Sequence, residues 1–386
     1  MLTFLAFLAL ASWIYLAFWR ADYWRAAERL GDSPAPAAWP AVVAVIPARD
    51  EAASIAEAVA AHMASDYPGA FTLVIVDDAS TDGTADIARR AGEGGARRLD
   101  IIAAPPLEPG WTGKLAAQRA GVDHARATAP DARYLLLCDA DIVFAPDALR
   151  RLVAKAEAEG LALVSLMARL DARGFWGGLL APAFVYFFQK LYPFPRVNDP
   201  ESSVAAAAGG CMLARRDALE AAGGIDSIRT RLIDDCALAQ RMKREGAGAP
   251  RPIWLGLAED ETRSLRDNRE LSSFWSMVAR TAFAQLGHSW PLLAGTVAGM
   301  TIIYLVPACA VLAFPFHHDG PAAGFGLAAW AIMAATYRPT AALYGQAGWR
   351  AALLPLAAFF YVLMTIFSAV QHERGEGGSW KGRTYP

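Results

Sequence analysis

The sequence predicts an α/β domain on a largely parallel sheet, flanked by apolar helices on both sides. Three observations lead there. Continuous apolar strands alternate with amphipathic helical stretches through the middle of the chain, the pattern of a sheet covered on both faces. Charge is concentrated in that middle, while both ends are apolar. Acidic clusters follow directly on two of the strands, where open α/β sheets place their ligands. Hydrophobic residues make up 55% of the 386 positions and charged ones only 19%, a bias that needs a membrane to absorb it. The net charge of -2 supplies no basic field, so nucleic acid is excluded as a partner. Cys138, Cys211, Cys236 and Cys309 are widely separated and lack C-x-x-C spacing, which argues against a zinc site and a disulfide framework and suits a reduced cytosol.

In chain order, Met1 to Trp19 carries no charge, and Arg20, Asp22, Arg25, Glu28 and Arg29 follow at once. A signal peptide would show its positive charge first, so 1–19 reads as a transmembrane anchor whose Arg-rich flank stays cytosolic. Gly31 to Pro40 is a Pro-rich linker that cannot continue a helix. Ala41 to Val45 is a buried strand running to Pro47, followed by a helix over Glu51 to Ala64 and a strand over Phe71 to Val76. A helix over Thr84 to Ala91, a short strand over Asp100 to Ala103 and a helix over Lys114 to Ala127 come next. Tyr134 to Cys138 is a strand, Pro146 to Glu159 a helix and Leu161 to Leu166 a strand. Phe175 to Tyr192, aromatic and Gly-rich, is either a helix lying on a bilayer or a buried core helix. Cys236 to Glu245 is a helix stopped by Gly246.

Leu292 to Phe316, Gly320 to Tyr337 and Ala351 to Val370 are charge-free and of crossing length. The chain therefore divides into the anchor (1–19), a cytosolic domain (41–280), a membrane region of about three apolar segments (290–370) and a basic tail (371–386). Four crossings from an outside N-terminus put the tail outside, whereas Arg374, Lys381 and Arg383 favour the cytosol. One of the four segments is then re-entrant or interfacial.

Four places carry chemistry. Asp77-Asp78-Ala79-Ser80-Thr81-Asp82-Gly83-Thr84 follows a strand, and its carboxylates can accept from a base N–H and ribose hydroxyls, although the same residues also make an ordinary acidic turn. Asp139-Ala140-Asp141 follows another strand, and two carboxylates so spaced can grip one hard cation, Mg²⁺ or Mn²⁺, that also holds phosphates. Gly110-Trp111-Thr112-Gly113-Lys114 opens a helix as an anion cradle or a surface turn, without Walker spacing. Asp234-Asp235 precedes a helix, where acids cap the dipole or supply a general base. The six histidines show no metal-ligand spacing. The uncharged apolar segments speak against a transport path, and Pro47-Ala48-Arg49-Asp50-Glu51 after the first strand is no dinucleotide fingerprint.

Taken in order, Val43 to Glu51, Val76 to Thr84, Asp139 to Asp141 and Asp234-Asp235 resemble the family 2 glycosyltransferases, over about Ala41 to Gly246. The resemblance implies a GT-A nucleotide-diphospho-sugar transferase fold and an inverting enzyme. Gly110 to Lys114 and the tail Gly378 to Tyr385 look like the hopanoid-biosynthesis-associated branch, related to ceramide glucosyltransferases. By resemblance, Pro47, Ala48 and Glu51 line the nucleotide pocket and Asp77 or Asp78 holds uridine. Asp139 and Asp141 bind the sugar diphosphate and a divalent cation (Mn²⁺ or Mg²⁺), and Asp235 is the base. The family's Q/R-x-x-R-W stretch falls on Met277 to Thr281 and keeps only Arg280, a diphosphate ligand by analogy. Its missing Gln and Trp weaken a processive synthase reading. The partners implied are a nucleotide-sugar donor, a membrane lipid acceptor and the lipid bilayer, at the inner (cytoplasmic) membrane. A polyprenyl-phosphate glycosyltransferase or polysaccharide synthase is the alternative.

Overall fold

The computed structural model describes residues 1–244 and 251–377. Helix α1 (Leu2–Phe18) leads to an alternation of β1 (Val42–Ala48), α2 (Ile55–Met63), β2 (Phe71–Asp77), α3 (Thr84–Gly92), β3 (Arg98–Ala103), α4 (Gly113–Thr128) and β4 (Tyr134–Leu137). There follow β5 (Ile142–Phe144), α5 (Ala148–Glu159), β6 (Leu163–Met167), α6 (Gly174–Leu191), α7 (Phe194–Asn198), β7 (Met212–Arg215), α8 (Arg216–Ala221) and α9 (Asp234–Arg244). After the undescribed stretch come β8 (Ile253–Leu257), β9 (Thr262–Ser264) and the helices α10 (Leu271–Gln285), α11 (Trp290–Met300), α12 (Val306–Leu312), α13 (Phe314–His317), α14 (Gly320–Leu343) and α15 (Leu354–Glu373).

A seven-stranded sheet runs β3-β2-β1-β4-β7-β6-β8, and β5 pairs with β9 in a two-stranded annex. The sheet is mostly parallel, as expected, with β7 antiparallel to both β4 and β6. Four strands escaped the sequence reading: β5, β7, β8 and β9, three to five residues long. Pro47 sits inside β1 rather than ending it. It pairs with Val76 of β2, while pairing with β4 stops at Val45, so the missing N–H leaves no rung of the ladder broken.

Helix α2 begins at Ile55, not Glu51. The amides of Asp50, Glu51 and Ala52 donate instead to Ser80 Oγ (3.0 Å), Thr84 Oγ1 (2.8 Å) and Asp82 Oδ2 (2.9 Å), so the first turn is spent on tying β1 to the β2 loop. Asp234 and Asp235 lie within the first turn of α9 rather than before it. The expected stop at Gly246 and the tail from Gly378 onward lie outside the described residues. Close packing fixes α4 on the sheet: a Cβ at Gly121 would collide with Val45 Cγ1 and come within 2.9 Å of Val76 Cγ2.

Phe175 to Tyr192 forms α6, whose middle is buried against α14 and α15 with Phe175 and Leu191 exposed at its ends. Two helical stretches, Trp290–Leu312 and Gly348–Glu373, are long and apolar enough to cross a membrane; the first passes through a π-helical turn at Thr301–Leu305. The apolar α1 is a residue short of that length, and α14 continues past Tyr337 through Arg338 and Pro339.

Candidate active site

Parallel strands β2, β1 and β4 end side by side, so the segments that leave them share one edge. Ala48 pairs with Asp77, and Val45 with Leu137. Beyond β4, Cys138 N still donates to Val45 O (3.3 Å), which carries Asp139 and Asp141 to the same rim as Pro47 and Glu51. The turn after β4 is locked from the other side too, since Leu265 N donates to Asp141 O at 2.7 Å.

The rim opens into a cleft of about 160 Å³ lined by Pro47, Glu51, Lys114, Asp139, Asp141 and Arg280, six of the expected residues, together with Asp234. Lys114 projects from the first turn of α4, whose N-cap Thr112 accepts from Leu115 N. Its Nζ lies 2.9 Å from Asp139 Oδ1 and 3.1 Å from Asp234 Oδ2. Burial works against its charge, but those two carboxylates prevail and hold its pKa above the ordinary lysine value. The Gly110–Lys114 turn thus delivers a cation clamped between acids, rather than an open anion cradle.

Asp235 stands behind Asp234 and is absent from the cleft wall. Its Oδ2 accepts from Gly209 N (2.9 Å) and its Oδ1 from Cys236 N (2.7 Å). Burial first, then the neighbouring Asp234, pushes its pKa up to about 6, against the opposing pull of Lys114. A carboxylate with that poise takes a proton readily near neutral pH.

Ala48, Asp77 and Asp78 sit at the adjoining edge, next to Pro47 but not on the cleft wall. The two aspartates differ. Asp78 is 5% exposed and lies 3.8 Å from Arg49 Nη1, a structural ion pair. Asp77 accepts from Ser80 N with Oδ2 (3.3 Å), while its buried Oδ1 has no hydrogen-bond partner among the described residues. An unpaired buried acceptor at a ligand edge is suited to a base N–H or a ribose hydroxyl.

Thr112 and Thr281, from the Gly110–Lys114 and Met277–Thr281 stretches, also line the cleft, as do Arg231 and Arg266, which were not anticipated. Arg266 Nε is 3.6 Å from Asp141 Oδ2, which also accepts from Ser264 Oγ (3.2 Å). Arg280 has its pKa lowered by burial and by Arg266, with Asp139, Asp234 and Asp141 opposing. Four carboxylates (Glu51, Asp139, Asp141, Asp234) thus face four cations (Lys114, Arg231, Arg266, Arg280). Among the described residues no three metal-ligating side chains form a ready cation cage. The donor set still fits a hard divalent ion, because such ions are commonly held by one or two carboxylates with substrate phosphates and water completing the shell.

Comparison with known proteins agrees with this architecture. Residues 43–223 match the family profile Glycosyl transferase family 2. It is 31% identical over 141 residues to an N-acetylglucosaminyltransferase of Mesorhizobium japonicum, an alignment covering 36% of this chain and 31% of the relative. The chain spans about a third of the length of that curated relative. Among solved structures, a mannosyltransferase of Pyrobaculum calidifontis in complex with GDP-Man and Mn²⁺ is similar in fold, with a TM-score of 0.55 and 21% identity over 94% of this chain and 99% of that one.

Proposed function

We propose that the protein is an inverting glycosyltransferase that moves a sugar from a nucleotide diphosphate, first of all a UDP-sugar, to a hydroxyl of a lipid-like acceptor at the membrane surface. One observation carries the reading: acidic segments far apart in the chain converge with Lys114 and three arginines on a single cleft at the carboxyl edge of the sheet. A cleft with balanced charge accommodates a diphosphate together with a divalent ion better than either alone.

Pro47, Ala48 and Glu51 flank the nucleotide, with Asp77 Oδ1 the acceptor for the base or ribose. Asp139 and Asp141 are the residues that would hold a divalent cation, which when bound neutralises charge on the departing diphosphate. Arg280, Arg266 and Arg231 supply further positive charge around the phosphates. Asp235 takes the proton of the acceptor hydroxyl, whose oxygen bonds to the anomeric carbon as the bond from that carbon to the phosphate oxygen breaks. The nucleoside diphosphate leaves from the opposite face, and the anomeric configuration inverts. Asp234 is the carboxylate on the cleft wall, but Lys114 holds it at 3.1 Å, so it serves as an orienting anion and leaves base work to Asp235.

The apolar helices, which expose Phe4, Phe7, Phe316, Leu327 and Phe359, support a greasy acceptor. A hopanoid polyol is the first acceptor to try, on the resemblance of Gly110 to Lys114. The test is to supply the membrane-embedded protein with labelled UDP-sugars, Mn²⁺ or Mg²⁺ and a panel of lipid acceptors. Label should pass into a lipid product only with divalent cation, and Asp139→Ala and Asp141→Ala should each abolish that dependence together with donor binding. Absence of transfer from every nucleotide sugar would refute the activity; preference for a phosphate-bearing lipid would shift the acceptor to a polyprenyl phosphate.

A further inference from the structure

Four apolar segments and a basic tail impose incompatible orientations, and the helix contacts resolve the conflict. Thr3 Oγ1 donates to Asp319 Oδ2 (2.6 Å), so the start of α1 and the loop before α14 share one end of the bundle. The other end is the catalytic side: Arg20 donates to Lys190 O of α6 (3.3 Å), and Leu170 N, just beyond β6, donates to Tyr344 Oη after α14 (3.4 Å). Helix α1, the α11–α13 stretch and α14 therefore each run from one end to the other. The 24 residues of α14 span about 36 Å, enough for the hydrocarbon layer.

The last segment behaves differently. From Tyr344 the chain turns at Gly345, whose φ is +66°, and climbs along α14 until Ala352 O accepts from Trp330 Nε1 (2.9 Å), near the middle of that helix. Helix α15 then descends across α6, where Tyr361 Oη donates to Leu180 O (2.9 Å). It finishes against α10, with Ser368 Oγ donating to Ala279 O and accepting from Phe283 N (3.0 Å). Its last residue, Glu373, accepts from Trp290 Nε1 (3.1 Å), and His372 stacks on His288 with ring centroids 4.0 Å apart. Both residues touched precede or open α11, immediately after the helix that puts Arg280 into the cleft.

We infer that Tyr344–Glu373 is a re-entrant hairpin: it enters the bilayer from the catalytic side, turns at about the middle of α14 and returns to the same side. The inference rests on the membrane reading above. Its occupant is the acyl layer of the catalytic-side leaflet, towards which Leu356, Phe359, Ile366 and Phe367 leave between 37% and 42% of their surface exposed. Ala351 to Val370 carries no charge that would forbid the depth, and the one charge on the climbing arm, Arg350, donates to Gln346 Oε1 (2.6 Å). Three crossings and one hairpin place Arg374 on the catalytic side, where positive residues belong. The hairpin also grips α10 on either side of Arg280, through Ala279 and Phe283, so lipid and cleft share one support.

The experiment is side-specific labelling of the full chain in sealed vesicles with a membrane-impermeant maleimide, in a Cys309→Ala background, because Cys138, Cys211 and Cys236 are buried. Asp86→Cys marks the catalytic side, Phe316→Cys the opposite end, and Arg374→Cys and Glu376→Cys the exit of α15. Both exit variants should label with Asp86→Cys and at least tenfold less from the side that labels Phe316→Cys. Labelling with Phe316→Cys overturns the hairpin but leaves the membrane reading intact. Equal labelling of Asp86→Cys and Phe316→Cys from one side overturns both, and lipid glycosylation, assayed separately, is independent of either result.

Discussion

Lys114 Nζ lies 2.9 Å from Asp139 Oδ1, joining the first turn of a helix to the loop beyond a strand of the central sheet. The contact makes one side chain the common neighbour of the D-x-D loop and of the paired acids on α9, since Asp234 is its second partner. Lys114→Met should therefore leave Asp139 and Asp234 without the cation that bridges them. The Lys114 side chain is 20% exposed, which puts the cost between surface and buried ion pairs, about 1–3 kcal/mol. Thermal unfolding of the purified variant should show the loss, and donor KM should rise with it; an unchanged melting temperature would remove Lys114 from the role of clamp.

Asp235→Asn should lower kcat by about 10²–10⁴-fold, the range for losing a general base, while nucleotide binding stays near normal. With the Asp235 pKa pushed up to about 6, the wild-type base is protonated and idle at low pH. The ratio kcat/KM should rise as pH increases through about 6 and level off above it. Asp234→Asn should act mainly on donor KM through Lys114, and a larger kcat loss there than in Asp235→Asn would exchange the two roles.

His62 is 2% exposed among Phe71 and Phe144, and desolvation lowers its pKa to about 4. The unfolded chain takes up a proton near pH 6.5 and the folded one near 4, so stability is lost as pH falls through that window, by about 3–4 kcal/mol in all. His62→Leu should flatten this part of the stability profile. Comparing melting temperatures at pH 7 and pH 5 for both proteins reads the difference directly, and parallel shifts would contradict it.

Gly121→Ala should destabilise by about 1–3 kcal/mol, because the added methyl must displace Val45 or Val76 in the tightest layer between α4 and the sheet. Val45→Ala should partly restore the melting temperature of that variant. If Gly121→Ala melts like wild type, the helix rides higher on the sheet than described.

How far the sequence could be read depends on what each feature requires. Asp77 and Asp139 were legible because they follow apolar parallel strands, and the carboxyl ends of such strands coincide in space whatever the loops do. Lys114 was visible as a cation at a helix start, but its partners belong to other elements and local patterns do not report them. Arg231 and Arg266 reach the cleft from irregular segments whose position is set by distant packing, so no spacing announces them. The start of α2 was misplaced for a related reason: Ser80, Asp82 and Thr84, thirty residues on, compete for its first amides. The apolar content of Ala351 to Val370 gave a helix of crossing length and not its packing, which depends on where Trp330 and Trp290 sit.

The reversed direction of β7 has a spatial corollary. Met212 opens β7 opposite Leu137, which closes β4, so the chain enters one strand where it leaves the other. Strand β6 pairs with β7 in the same opposed sense, and the whole excursion between them, α6 included, is launched and recovered on one lip of the sheet. That lip is also where Gly209 meets Asp235 and where the D-x-D loop emerges. A single inverted strand thus hangs the apolar helix α6 from the mouth of the polar chamber. The two ends of the apolar α6 excursion therefore return to the same edge as the cleft carboxylates.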